Sequence, residues 1–165
     1  MTWIDAAIVA VFLFFIVTAF SAGLVREVIS MSATIAGMIL AGLFYQDISD
    51  SLLSSIDNET TSAVVAFLII FVGVTVAGQL LAMVVHPAIT VLQLGMIDQF
   101  LGAFFGIVKA FVIVEVLLVL FVTYPRYDLD TKIDDSAFAP KMLHLSQPIV
   151  KVLPQIFEKK VDAFK

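Results

Sequence analysis

The sequence predicts an all-α membrane protein, with about four transmembrane helices and a short C-terminal amphipathic helical tail. Three observations lead there. Hydrophobic residues make up 61% of the 165 and charged residues only 14%, against roughly 45–50% and about 25% in soluble domains. Mean hydropathy is +1.09. The apolar residues fall into long runs that match the ~20 residues a helix needs to cross a bilayer. A soluble chain of 18.0 kDa could not bury that much apolar surface, which excludes a water-soluble enzyme. The absence of cysteine excludes disulfides, thiolate metal sites and thiol catalysis. Fourteen acidic residues against nine basic ones argue against a nucleic-acid surface.

The first predicted span covers 4–22. As a helix it is about 28 Å long, close to the hydrocarbon thickness. Its one charge, Asp5, lies at the edge, and no basic residue precedes it, so a retained helix fits better than a signal peptide. Gly23 is the expected helix stop, and a tight turn over 23–27 should fold the second span, 28–45, back as an antiparallel hairpin. Residues 46–61 carry four carboxylates and no Lys or Arg. They suggest a solvated loop, with Leu52, Leu53 and Ile56 as a short interfacial turn.

The third span, 62–85, should end at His86-Pro87, because proline disfavours helix in the residue before it. Residues 88–97 are apolar but short, and suit an interfacial or re-entrant piece. The fourth span, 100–124, is closed by Pro125 and completes a transmembrane domain over 1–125. The tail, 126–165, holds seven of the nine basic residues. In it Val150, Leu153, Phe157, Val161 and Phe164 recur at helical spacing, an apolar stripe fit to rest on the membrane or on the bundle.

Small residues recur every four positions: Ala33, Gly37 and Ala41; Gly102, Gly106 and Ala110; Gly73 and Ala77; Gly78 and Ala82. In lipid, helices associate through close contact rather than apolar burial, and small side chains permit it. The rows serve either internal packing or a homo-oligomer.

The fourth span carries two internal charges, Lys109 and Glu115. Asp98, Gly102 and Lys109 share a helix face, with Lys109 roughly 16 Å further in than Asp98 and Glu115 on another face. A charge near a helix centre costs about 2.5–3.5 kcal/mol on insertion scales, so such residues usually face protein or water. Either Lys109 and Glu115 line an ion or proton path, or Lys109 snorkels toward the surface and Glu115 is neutral or hydrogen-bonded in the bundle. Two histidines, His86 and His144, stand apart. No zinc-protease, nucleophile-elbow, phosphate-loop or paired-cysteine motif occurs, and no catalytic residue, cofactor or metal site is expected.

Several segments together resemble a known family. Trp3-Ile4-Asp5 opens the chain, and Phe20-Ser21-Ala22-Gly23-Leu24-Val25-Arg26-Glu27 closes the first hairpin. Asp98-Gln99-Phe100-Leu101-Gly102-Ala103-Phe104-Phe105-Gly106-Ile107-Val108-Lys109 opens the last span, and Ser136 precedes Pro140 by four residues. In order and spacing they resemble the bacterial colicin V production protein family over nearly the whole chain. The chain departs from the family's pattern at Ala22 and Gln99, where basic residues are usual, and at Ala110, where glycine follows the basic residue. The resemblance implies a multi-pass protein of the bacterial inner membrane that supports toxin production or secretion and envelope physiology, with no defined reaction. It marks Arg26, Glu27, Asp98, Gly102, Gly106 and Lys109 as positions of interest, to which the buried-charge argument adds Glu115.

The sequence therefore predicts a non-enzymatic inner-membrane protein whose partners are the lipid bilayer, a second copy through small-residue faces, or an envelope protein. The alternative is a small ion- or proton-coupled channel or transporter with Lys109 and Glu115 in its path. An even number of spans puts both termini on one side. Arg26 in the first loop and the uncharged-by-base loop 46–61 place Arg26 in the cytoplasm and both termini in the periplasm. The basic residues Arg126, Lys132 and Lys141 pull the other way. The family resemblance implies the periplasm, since some members are expected to carry a periplasmic protease domain after this unit.

Overall fold

A computed structural model of the chain describes residues 2–52, 58–89, 95–123, 133 and 135–145. Among them are five helices and no strand: α1 (Trp3–Ala22), α2 (Leu24–Leu52), α3 (Glu59–Ile89), α4 (Met96–Thr123) and the short α5 (Ala139–Leu145). Four of these, α1 to α4, are long and apolar enough to cross a membrane. The apolar stripe predicted from Val150 to Phe164 lies outside the described residues.

The helices pass beyond the predicted spans in several places. The polar residues 46–52, expected in a loop, form the last turns of α2. Tyr45 there is buried and Ser49 bonds Ser62 of α3 at 2.7 Å, so tertiary contact extends the helix through a sequence that looks like loop. The turn after α1 is Gly23 alone, and Arg26 and Glu27 belong to α2. Pro87, expected to end the third span, lies inside the final turn of α3. So close to the end, proline removes one intrahelical bond and leaves the rest of the helix untouched. Of the segment 88–97, residues 88–89 end α3 and 96–97 begin α4, while 90–94 lie outside the described residues.

Sequence neighbours are not the main packing partners. α1 lies along α4 and α2 along α3, and α4 also meets α2, whereas α1 and α2 touch little despite the single-residue turn between them. The helices thus stand in the order α1, α4, α2, α3. Close backbone approach explains both strong pairings. A side chain at Gly102 would meet the Ala19 carbonyl oxygen at 2.6 Å, and one at Gly106 the Phe15 carbonyl oxygen at 2.9 Å. Between α2 and α3, the Cβ position of Gly37 is 3.1 Å from the Phe71 carbonyl oxygen, and that of Gly78 is occupied by Ala33. The rows read from the sequence as either packing or oligomer faces therefore serve internal packing at Ala33, Gly37, Gly78, Gly102 and Gly106. Gly73, with nothing near its Cβ position, does not.

The core runs between the helices through Met38, Phe67, Phe71, Val114, Leu118 and Val119. The outer faces are apolar too: Leu13, Phe14 and Val17 on α1, Leu43 on α2, Ile69, Val76 and Leu80 on α3, and Phe100 and Phe104 on α4 are exposed. In water such a surface would aggregate; facing lipid acyl chains it is at rest.

Candidate functional site

The candidate site is a cluster of polar side chains where α2, α3 and α4 meet inside the apolar bundle. Helical periodicity positions them. Glu27, Ser30 and Thr34 follow one another at spacings of three and four, which puts them on a single face of α2. All three are buried. Gln79 projects from α3 and Lys109 from α4 into the same space.

Lys109 is the centre. Its Nζ lies 3.1 Å from Glu27 Oε1, donates to Ser30 Oγ at 2.6 Å and reaches Gln79 Oε1 at 3.4 Å. Ser30 and Gln79 accept hydrogen bonds from the ammonium, while Glu27 Oε1 meets it as an opposite charge without a well-aligned hydrogen bond. Ser30 Oγ in turn donates to Gln79 Oε1, so the serine relays between the cation and the amide. The Phe15 ring of α1 covers the amine, with its centroid 5.2 Å away, a cation–π contact. Lys109 and Glu27 are each 3% exposed. In a low-dielectric interior neither charge alone would be tolerated, and together they form a neutral pair. The intramembrane carboxylate that partners Lys109 is therefore Glu27, which the sequence places in a turn outside the spans.

Asp98 serves a different purpose from the one suggested by its shared face with Lys109. Its Oδ1 accepts the Leu24 N–H at 3.1 Å, capping the first turn of α2 from α4. Its other carboxylate oxygen occupies the space a side chain at Gly23 would need. Gly23 also has φ 79°, a conformation that favours glycine. Gly102 and Gly106 complete this corner by letting α1 lie against α4. Arg26 neighbours Glu27 on α2, half-buried, and its Nε makes no hydrogen bond. Glu115 is fully buried on α4, six residues further along the helix than Lys109. Of the seven residues singled out in the sequence, the fold thus joins Glu27 with Lys109, brings Asp98 and Gly102 to Gly23, and sets Gly106 against Phe15 and Ala19 of α1.

A second polar cluster went unread in the sequence beyond its membership of a resemblance. Asp5, 1% exposed, accepts hydrogen bonds at Oδ1 from Ser136 Oγ at 2.6 Å, Ala137 N–H at 3.0 Å and Phe138 N–H at 3.2 Å. Its Oδ2 accepts from Thr2 N–H at 2.8 Å. Ser136 Oγ accepts from Ala139 N–H at 3.0 Å and so caps α5. One carboxylate thus caps α1 and fastens the C-terminal segment to it. Ser30 and Gln79 were missed as well. A signal existed for each: the Glu27-Ser30-Thr34 spacing, and a lone amide in the apolar run 62–85.

Among the described residues no group of three His, Asp or Glu is placed to hold a metal ion. The Lys109 cluster offers an ion pair with Glu27, and a hydroxyl and an amide that are hydrogen-bonded to the ammonium and to each other.

The family model described as Colicin V production protein matches residues 4–147. A colicin V production protein homolog from Haemophilus influenzae is 30% identical over 125 residues, which is 76% of each chain. The colicin V production protein of Escherichia coli is 26% identical over 118 residues, 72% of each chain. No solved structure matches significantly. The matched stretch takes in all but the first residue of the four helices long and apolar enough to cross a membrane, with the Lys109 cluster and the Asp5–Ser136 contact, and the chain belongs to the colicin V production protein family.

Proposed function

We propose that this protein is a non-enzymatic accessory component of the bacterial inner membrane that supports toxin production or secretion and envelope physiology. Two relatives carry the name colicin V production protein, which is the source of the toxin assignment. The observation that carries the accessory role is the Lys109 cluster. Its cation is matched by Glu27, Ser30 and Gln79, so the buried charge is spent on joining helices. Such a bundle is suited to present a fixed membrane surface to an envelope partner. The test is complementation in an Escherichia coli strain that lacks its own relative and carries a colicin V operon. Toxin activity in the medium should return with the parent chain and stay low with Lys109→Met. Full recovery by an empty vector would refute the role.

A second reading rests on Glu115, a carboxylate buried at 0% exposure in a membrane-crossing helix. In an ion- or proton-coupled transporter it would line the path with Lys109. Purified protein in liposomes separates the two: flux abolished by Glu115→Gln favours transport, and flux equal to empty liposomes favours the accessory role.

Both termini are proposed to lie in the periplasm, with Arg26 in the cytoplasm. The Asp5–Ser136 junction supports the shared side, because it holds residues 2–5 and 136–139 together. A C-terminal fusion should give alkaline phosphatase activity and no green fluorescence; the opposite result would invert the topology.

A further inference from the structure

The bundle uses two kinds of adhesion, and they are not distributed evenly. Within the α1–α4 pair, Gly102 and Gly106 let the backbone of α4 touch that of α1. Within the α2–α3 pair, Gly37 and Gly78 do the same. Between the pairs, α4 meets α2 less extensively. That seam holds the polar groups instead: Lys109 on α4 against Glu27 and Ser30 on α2, with Gln79 reaching across from α3. In a bilayer, apolar contacts at such a seam gain little, since acyl chains replace them, while close backbone packing and interhelical polar bonds persist.

We infer that the bundle is two rigid helix pairs, α1–α4 and α2–α3, clasped by the Lys109 cluster, and that neutralising Glu27 lets the pairs part. The chain supplies the pivot. Gly23, with φ 79°, is the single residue between α1 and α2, and Gly95, with φ 57°, precedes α4. The Asp98–Leu24 bond lies at that same corner and so moves little as the pairs swing. The charged group facing Lys109 is Glu27, with Arg26 beside it on α2, while Asp98 lies at the Gly23 corner; Arg26 is the cation left to face Glu27 when Lys109 is removed. Parting is greatest at the end of α2 away from Gly23, where Tyr45 lies. It opens the buried α2 surface around Met38, Ala41 and Tyr45, away from the pivot.

The chain has no cysteine, so spin labels can be placed freely. Val17 on α1, Phe121 on α4, Leu43 on α2 and Leu80 on α3 are all exposed. Electron–electron distance measurements on the full chain in lipid nanodiscs then report two separations within pairs, Val17–Phe121 and Leu43–Leu80. They also report two between pairs, Leu43–Phe121 and Val17–Leu80. In Glu27→Gln, the Leu43–Phe121 distribution should shift or broaden beyond its parent width, and Val17–Leu80, near the pivot, should change less. Both within-pair distributions should stay as in the parent. Unchanged between-pair distances would overturn the clasp. Loss of the within-pair distances alongside them would overturn it equally, because the pairs would not be independent units. The charge-swapped double variant Glu27→Lys with Lys109→Glu should return the between-pair distances to parent values; failure to do so would count against the ion pair as the closing element.

Discussion

Asp98 of α4 caps α2: its Oδ1 accepts the Leu24 N–H at 3.1 Å, and its other oxygen fills the space beside Gly23. The corner where three helices meet therefore depends on a carboxylate, a residue without a side chain, and an otherwise orphaned amide. Gly23→Ala should be strongly destabilising. It forces a side chain into φ 79° and into the Asp98 carboxylate, with strain of about 1–3 kcal/mol before the clash is counted. Asp98→Ala removes only the cap and should cost less, about 0.5–2 kcal/mol. Thermal unfolding in detergent gives the order; equal stability of Gly23→Ala and the parent would refute the corner.

Lys109→Met leaves Glu27 a buried carboxylate with only its neighbour Arg26 as a nearby cation, and Glu27→Gln leaves a buried ammonium without its carboxylate. Each should destabilise by roughly 3–5 kcal/mol, as breaking a buried pair does. The double variant Glu27→Gln with Lys109→Met removes both charges and should regain most of the loss. Stabilities that simply add would show that the two residues are not coupled.

Gly106→Leu should lower folded yield and melting temperature, because the added side chain meets Ala19 and the Phe15 carbonyl. Overpacking of this kind costs about 1–3 kcal/mol or more. Gly73→Leu is the control, as no atom lies near its Cβ position, and it should match the parent. The contrast between the two, read as yield and size-exclusion profile in detergent, checks that the glycine rows act by contact.

Asp5→Ala should free the segment around Ser136 while leaving the spans inserted, since three donors from residues 136–138 lose their acceptor. Limited proteolysis should cut the parent slowly between Asp135 and Leu145 and the variant faster. Ser136→Ala keeps the two amide bonds to Asp5 and should give an intermediate rate. Equal rates for all three proteins would show that the junction does not hold the segment.

Much of the fold was legible in the sequence, because spanning a membrane is a local requirement. A run of ~20 apolar residues must become a helix, since no other backbone arrangement in it satisfies its own hydrogen bonds in lipid. The helix stop at Gly23 and the closeness of Gly102 and Gly106 to a neighbour follow from the same kind of local reasoning, whereas the alternative that Lys109 snorkels toward the surface does not hold, because Lys109 is 3% exposed and paired inside the bundle. The polar stretch 46–52 was not legible: its composition suits a loop, and its helix is completed by contacts from α3.

What the tertiary structure alone decided is which surfaces meet. Lys109 could be read as a buried charge, but its partner could not. Glu27 sits in a turn by hydropathy and inside α2 by structure, and Ser30 and Gln79 are ordinary residues until α2, α3 and α4 converge on them. Asp5 likewise looked like an edge charge until the chain after α4 returned to it. Hydropathy adds up along the chain, residue by residue, and so can be read from it. Pairing depends on which faces of distant helices share a boundary. The sequence states each helix's faces and leaves their mutual choice to packing, here the order α1, α4, α2, α3.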